Sequence, residues 1–115
     1  MRVELLRRLR AGLAEVVTPY GPAVARWCGD PADLPGPYVV EWTIDEEHAA
    51  VRPAAGPGPE VRVDGELVVL VGEFDGEAAL RIGDSLVLLD LPGRLPGPLE
   101  VAVPREHAEL YPYTV

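Results

Sequence analysis

Residues 60–91 read EVRVDGELVVLVGEFDGEAALRIGDSLVLLDL, and this stretch decides the fold class. Apolar runs at Val61 to Val63, Leu67 to Val71, Ala78 to Ile82 and Leu86 to Leu89 are separated by Asp64-Gly65, Asp75-Gly76 and Gly83-Asp84. Such pairs supply the positive φ of tight primed turns, so an antiparallel meander of four strands is predicted. The unbroken run Leu67 to Val71 predicts a central strand covered on both faces.

Working towards the N-terminus, Tyr38, Val40, Trp42 and Ile44 alternate with Val39, Glu41 and Thr43, the period of a half-buried strand. The acids Asp45-Glu46-Glu47 then predict a turn, and His48 to Arg52 a returning hairpin strand. Residues 18–37 carry Pro19, Pro22, Pro31, Pro35 and Pro37 and read as a stiff connection, with one helical turn at Pro22 to Cys28. Residues 2–17 place Val3, Leu5, Leu6, Leu9, Leu13, Val16 and Val17 at three- and four-residue spacing, which predicts an amphipathic helix. Its four arginines against two glutamates make it the one basic surface of an acidic chain. Towards the C-terminus, a loop from Leu91 to Pro98 leads to a last strand, Leu99 to Val103, and residues 104–115 form a helical turn and tail.

The fold expected from these readings is a single α+β domain. A helix over 2–17 packs on a mostly antiparallel, meander-like sheet of five to seven strands within 38–103, curled towards a half-barrel.

The chain has 115 residues, 48% hydrophobic, so it holds one core and no separate cofactor and substrate domains. Its net charge of −9 argues against nucleic acid or an anionic membrane surface as partner. No apolar run approaches the ~20 residues of a spanning helix, and no signal-peptide apolar region is seen. The single Cys28 allows no internal disulfide. A cytoplasmic location is expected. All ten cations are Arg, and Lys, Asn and Gln are absent. That removes a Schiff-base or phosphate-loop lysine and any amide side chain for an oxyanion hole.

One internal echo stands out. Leu34-Pro35-Gly36-Pro37 precedes a strand and then Glu47-His48-Ala49; Leu95-Pro96-Gly97-Pro98 precedes a strand and then Glu106-His107-Ala108. A composition rich in Pro, Gly, Leu and Ala produces such echoes by itself; two related halves would instead set His48 and His107 at similar backbone positions.

Gly83-Asp84-Ser85-Leu86 resembles the nucleophile block of the GDSL esterases, in which the serine attacks an ester carbonyl. The resemblance covers four residues. That family opens a helix after the block and completes the site with downstream Gly, Asn and Asp-x-x-His residues. This chain has no Asn, and Pro104-Arg105-Glu106-His107 stands where the last motif would be, so the block reads as a turn.

Asp45, Glu46, Glu47 and His48, with Glu106, His107 and Glu109, offer carboxylates and imidazoles that suit a metal ion or an acid–base pair only if the two histidines converge. Without that, they are solvated turn residues. Cys28 beside Arg26 is either an activated thiol or a buried inert one, and Trp27 either core or a partner-facing anchor. No catalytic set, metal or cofactor is assigned. The leading expectation is a small, non-enzymatic, protein-binding module of inhibitor, immunity or accessory type. Asp45, Glu46, Glu47, His48, Trp27, Glu106 and His107 would meet a basic partner protein. The alternatives are a ligand-binding or enzymatic half-barrel built on His48 and His107, and a self-assembling homo-oligomer.

Overall fold

The structure is a computed structural model and describes residues 1–113. The chain forms β1 (Arg2–Arg8), β2 (Leu13–Thr18), β3 (Gly21–Trp27), β4 (Gly36–Ile44), β5 (Ala50–Pro53), β6 (Glu60–Asp64), β7 (Leu67–Phe74), β8 (Ala79–Ile82), β9 (Ser85–Leu88), β10 (Gly97–Pro104) and β11 (Ala108–Tyr113). Single 3₁₀ turns lie at Arg10–Gly12, Glu46–His48 and Arg105–His107. The architecture is therefore nearly all β, and the expected α+β class is corrected.

The N-terminal helix is absent. In β1, Val3 and Leu5 are buried while Glu4 and Leu6 face solvent; in β2, Ala14, Val16 and Thr18 are buried while Val17 is exposed. The apparent helical stripe was two strands of period two read across the turn that joins them. Ala11 and Gly12 adopt positive φ of 58° and 75° and fold the chain back, so that Leu5 pairs with Val16 and Arg8 with Ala14. β-Branched Val3, Val16, Val17 and Thr18 favour that outcome.

The proline-rich stretch 18–37 likewise holds a strand rather than a loop with a helical turn. In β3, Pro22 lies opposite Val17 and the buried Ala23, Ala25 and Trp27 point inward. The meander over 60–91 holds: β6, β7, β8 and β9 pair antiparallel in sequence. Val68 to Gly72 of β7 are all buried, although no helix covers them.

The pairings divide the chain into two topologically equivalent units. In the first, β1, β2, β3, β11 and β4 close a five-stranded barrel, with β1 pairing β4 antiparallel to shut the ring. This replaces the expected half-barrel, and the eleven strands among the described residues exceed the five to seven anticipated. In the second, β7, β8 and β9 repeat the meander, and β7 pairs β10 as β1 pairs β4. Each unit hands its last strand to the other: β5 follows β4 in sequence but pairs with β10, and β11 follows β10 but pairs with β4 and β3. The expected hairpin between β4 and β5 does not form, and the C-terminal tail becomes a barrel strand. One contiguous hydrophobic cluster spans both units, including Leu5, Trp27, Trp42, Leu70, Ile82 and Leu110. Exchange places the buried Ala108 and Leu110 of β11 in the first unit's core, while β5 adds only the half-buried Val51 to the second. Among the described residues, no helix is long and apolar enough to cross a membrane.

Candidate functional site

The exchange brings two equivalent turns together. Asp45 leads into the Glu46–His48 turn between β4 and β5; Pro104, 59 positions later, leads into the Arg105–His107 turn between β10 and β11. The imidazoles of His48 and His107 lie face to face, with centroids 3.8 Å apart and planes 4° from parallel. Asp45 Oδ2 is 2.8 Å from His48 Nδ1 and 3.5 Å from His107 Nδ1. Its Oδ1 accepts from the Glu47 N–H at 3.1 Å, and its own N–H donates to the His107 carbonyl at 3.1 Å. The hydrogen bond from His48 is the main reason that the Asp45 carboxyl titrates below its usual range.

The same turn sends its other acids elsewhere. Glu46 and Glu47 border an open groove of about 910 Å³ whose walls include Pro53, Leu91, Leu95 and Pro96. Glu46 Oε1 accepts from the Asp90 N–H at 3.0 Å, fixing the loop after β9 against the turn. The groove lies beside the end of β5, at Pro53, next to the edge that leaves the second unit unclosed. In the first unit β11 pairs β3 in parallel through Glu109 and Leu110, and the Leu110 carbonyl accepts from the Cys28 N–H. In the second unit β5 ends the strand order, and no pairing joins it to β9 among the described residues. The carbonyl of Val51, the counterpart of Leu110, accepts instead from the Arg94 guanidinium at 3.3 Å.

Of the remaining sequence candidates, Glu106 shares the turn of His107 without joining the cluster, and the others lie elsewhere or inside the core. Glu106 is exposed, and its backbone carbonyl accepts from Arg26 Nε at 3.3 Å. Trp27 is only 4% exposed; its Nε1 donates to Asp33 Oδ2 at 2.9 Å and its ring meets Tyr38 edge-on at 5.0 Å. Its ring is therefore core and has little surface to show a partner. Burial pushes the Cys28 thiol up and the neighbouring Glu109 carboxylate adds to it, outweighing Arg26, so the thiol is not activated. Ser85 opens β9 directly after the Gly83 turn, as a turn reading requires.

Comparison with family models, with curated proteins and with solved structures finds no match. The site must be read from its own geometry.

Two features escaped the sequence reading. Glu100 is 7% exposed and binds both Arg52 and Arg62. The signal was a lone acid between Leu99 and Val101 in a strand. The groove loop Leu91-Pro92-Gly93-Arg94-Leu95-Pro96 reads in sequence as a connection. Its repeated Leu-Pro pattern, with Leu95 78% exposed, was the available hint.

Proposed function

We propose that this chain is a small, acidic, non-enzymatic protein-binding module, and that its groove receives an extended segment of a partner protein that alternates basic and apolar side chains. The observation that carries this reading is the unclosed seam of the second unit. There β5 presents a strand edge that its counterpart β11 uses for pairing, its Val51 carbonyl held only by the Arg94 side chain, which an added strand would displace, beside a floor of Leu91, Leu95 and prolines. An added strand gains main-chain hydrogen bonds from such an edge, and alternate side chains fill the neighbouring pocket. Glu46, Glu47 and Asp90 at the rim, on a chain of net charge −9, favour a cationic segment and speed its encounter. Pro53, which lacks an N–H, blunts the end of the edge against indiscriminate pairing.

The test is a titration of the ¹⁵N-labelled chain with a peptide of alternating arginine and leucine, at low and high salt. Amide shifts are expected at Val51, Arg52, Leu91, Arg94 and Leu95, weakening as salt rises. The combined change Glu46→Gln, Glu47→Gln and Asp90→Asn should weaken binding at least tenfold. Shifts scattered over the barrel surface, or equal binding of a glutamate–leucine peptide, would refute the reading. Light scattering on the same sample separates self-association, in which the groove would take a second copy.

A further inference from the structure

We propose that Asp45, His48 and His107 form a binding site for one divalent transition-metal ion of the zinc type. This inference uses a different set of side chains from the groove and does not depend on it. The three residues come from two turns far apart in sequence, and each offers a donor atom such that all three lie within 4.8 Å of one another. A zinc-type ion bound at about 2.0–2.2 Å to nitrogen and oxygen holds tetrahedral neighbours roughly 3.3 Å apart. The observed separations from Asp45 Oδ2 to the two Nδ1 atoms, 2.8 and 3.5 Å, bracket that value. Two imidazole nitrogens with one carboxylate oxygen suit borderline ions such as zinc, nickel or copper, whereas calcium and magnesium demand all-oxygen sets.

The supporting contacts are those of a ligand set held in place. The Glu47 N–H occupies Asp45 Oδ1 and leaves Oδ2 directed at both rings. The bond from the Asp45 N–H to the His107 carbonyl ties the two turns to each other. Such outer contacts orient metal ligands and govern affinity.

The ring stack sets one further condition. An imidazole lone pair lies in the plane of its ring, and two planes 4° from parallel with centroids 3.8 Å apart cannot both contain one ion. Binding must therefore turn at least one ring about its Cβ–Cγ bond and break the stack. Side-chain exposures of 48% for His48 and 34% for His107 leave room for that rotation and for water in the open coordination position.

The experiment is calorimetric titration of the full chain with zinc sulfate, with the imidazole ¹⁵N resonances followed by NMR. One ion per chain is expected, with both imidazoles shifting together, and His48→Ala, His107→Ala and Asp45→Asn should each weaken binding at least tenfold. The Asp45→Asn change keeps an oxygen for the Glu47 N–H, so it removes the charged ligand with the turn intact, which the near-ultraviolet dichroism of Trp27 and Trp42 will verify. The proposal is overturned by the absence of saturable zinc binding. It is equally overturned by binding that survives both Asp45→Asn and His107→Ala, which would mark an ion on one surface histidine, or by magnesium binding as tightly.

Discussion

Arg62 on β6 donates to Glu100 on β10 at 2.8 Å, reaching across β7, which lies between the two strands. Arg52 on β5 binds the other carboxylate oxygen, so one nearly buried acid joins three strands of the second unit. Hydrogen bonds from Arg62, then Arg52, hold the Glu100 carboxyl below its usual range. A carboxyl with a depressed folded value stabilises above the unfolded value of about 4.3. That stabilisation is lost as pH falls through the folded value. Glu100→Gln should therefore cost about 1–3 kcal/mol at neutral pH. The loss should shrink as the pH falls below about 4, seen in urea melts of both proteins across pH. An unchanged difference between pH 7 and 3 would contradict the assignment.

Gly21 has a φ of 135°, and a Cβ placed there would collide with the Val61 carbonyl. The neighbouring Val61 N–H donates to the Tyr20 carbonyl at 3.0 Å, so this close approach docks β6 of the second unit on β3 of the first. Gly21→Ala combines strain with a backbone clash and should destabilise by about 2–4 kcal/mol. A denaturant midpoint equal to that of the native chain would show that the approach is dispensable.

Trp27 Nε1 is bound to Asp33, which lies in the loop that leads from β3 to β4. Trp27→Phe keeps most of the buried ring and loses this bond, and should cost about 1–2 kcal/mol. Asp33→Ala should cost a similar amount and the double change no more than either alone, because both remove one contact. Additive losses in thermal unfolding would mean that the two residues act separately.

Strand exchange makes the two units interdependent. Fragments 1–55 and 56–115 each lack the strand that completes their sheet, since β11 lies in the second fragment and β5 in the first. Neither fragment should unfold cooperatively alone, and an equimolar mixture should regain the far-ultraviolet spectrum and a single melting transition. Leu110→Ala in the second fragment should impair the mixture, since Leu110 is fully buried in the first unit's barrel. Two fragments with independent sharp transitions would contradict this account.

Much of the second unit could be read from sequence because its cues are local. Asp64-Gly65 and Gly83-Asp84 each join strands paired in register. In the first unit only β4 is as plain, where alternation from Tyr38 to Ile44 matches a strand with buried Val40, Trp42 and Ile44. The first barrel is hidden in sequence where cues of two periods overlap. Leu6, Leu9 and Leu13 complete a helical stripe with Val3 and Val16, and only the turn at Ala11-Gly12 breaks it. The candidate metal ligands were named as residue types, but their union was not visible. Nothing local shows that the chain after His48 leaves its own unit.

The sequence by itself determined the acidic charge, the single small core and the meander from residue 60 to 91, whereas the echo of Leu34 to Ala49 in Leu95 to Ala108 reads there as a product of composition. Short-range turn chemistry and side-chain alternation are enough for each of these. Only the tertiary structure decided which strand pairs with which: β5 and β11 cross over, His48 meets His107, and one seam closes while the other stays open. The physical reason is that strand partners far apart in sequence are chosen by the burial of a shared core, and a strand of suitable alternation fits either unit until that core is assembled.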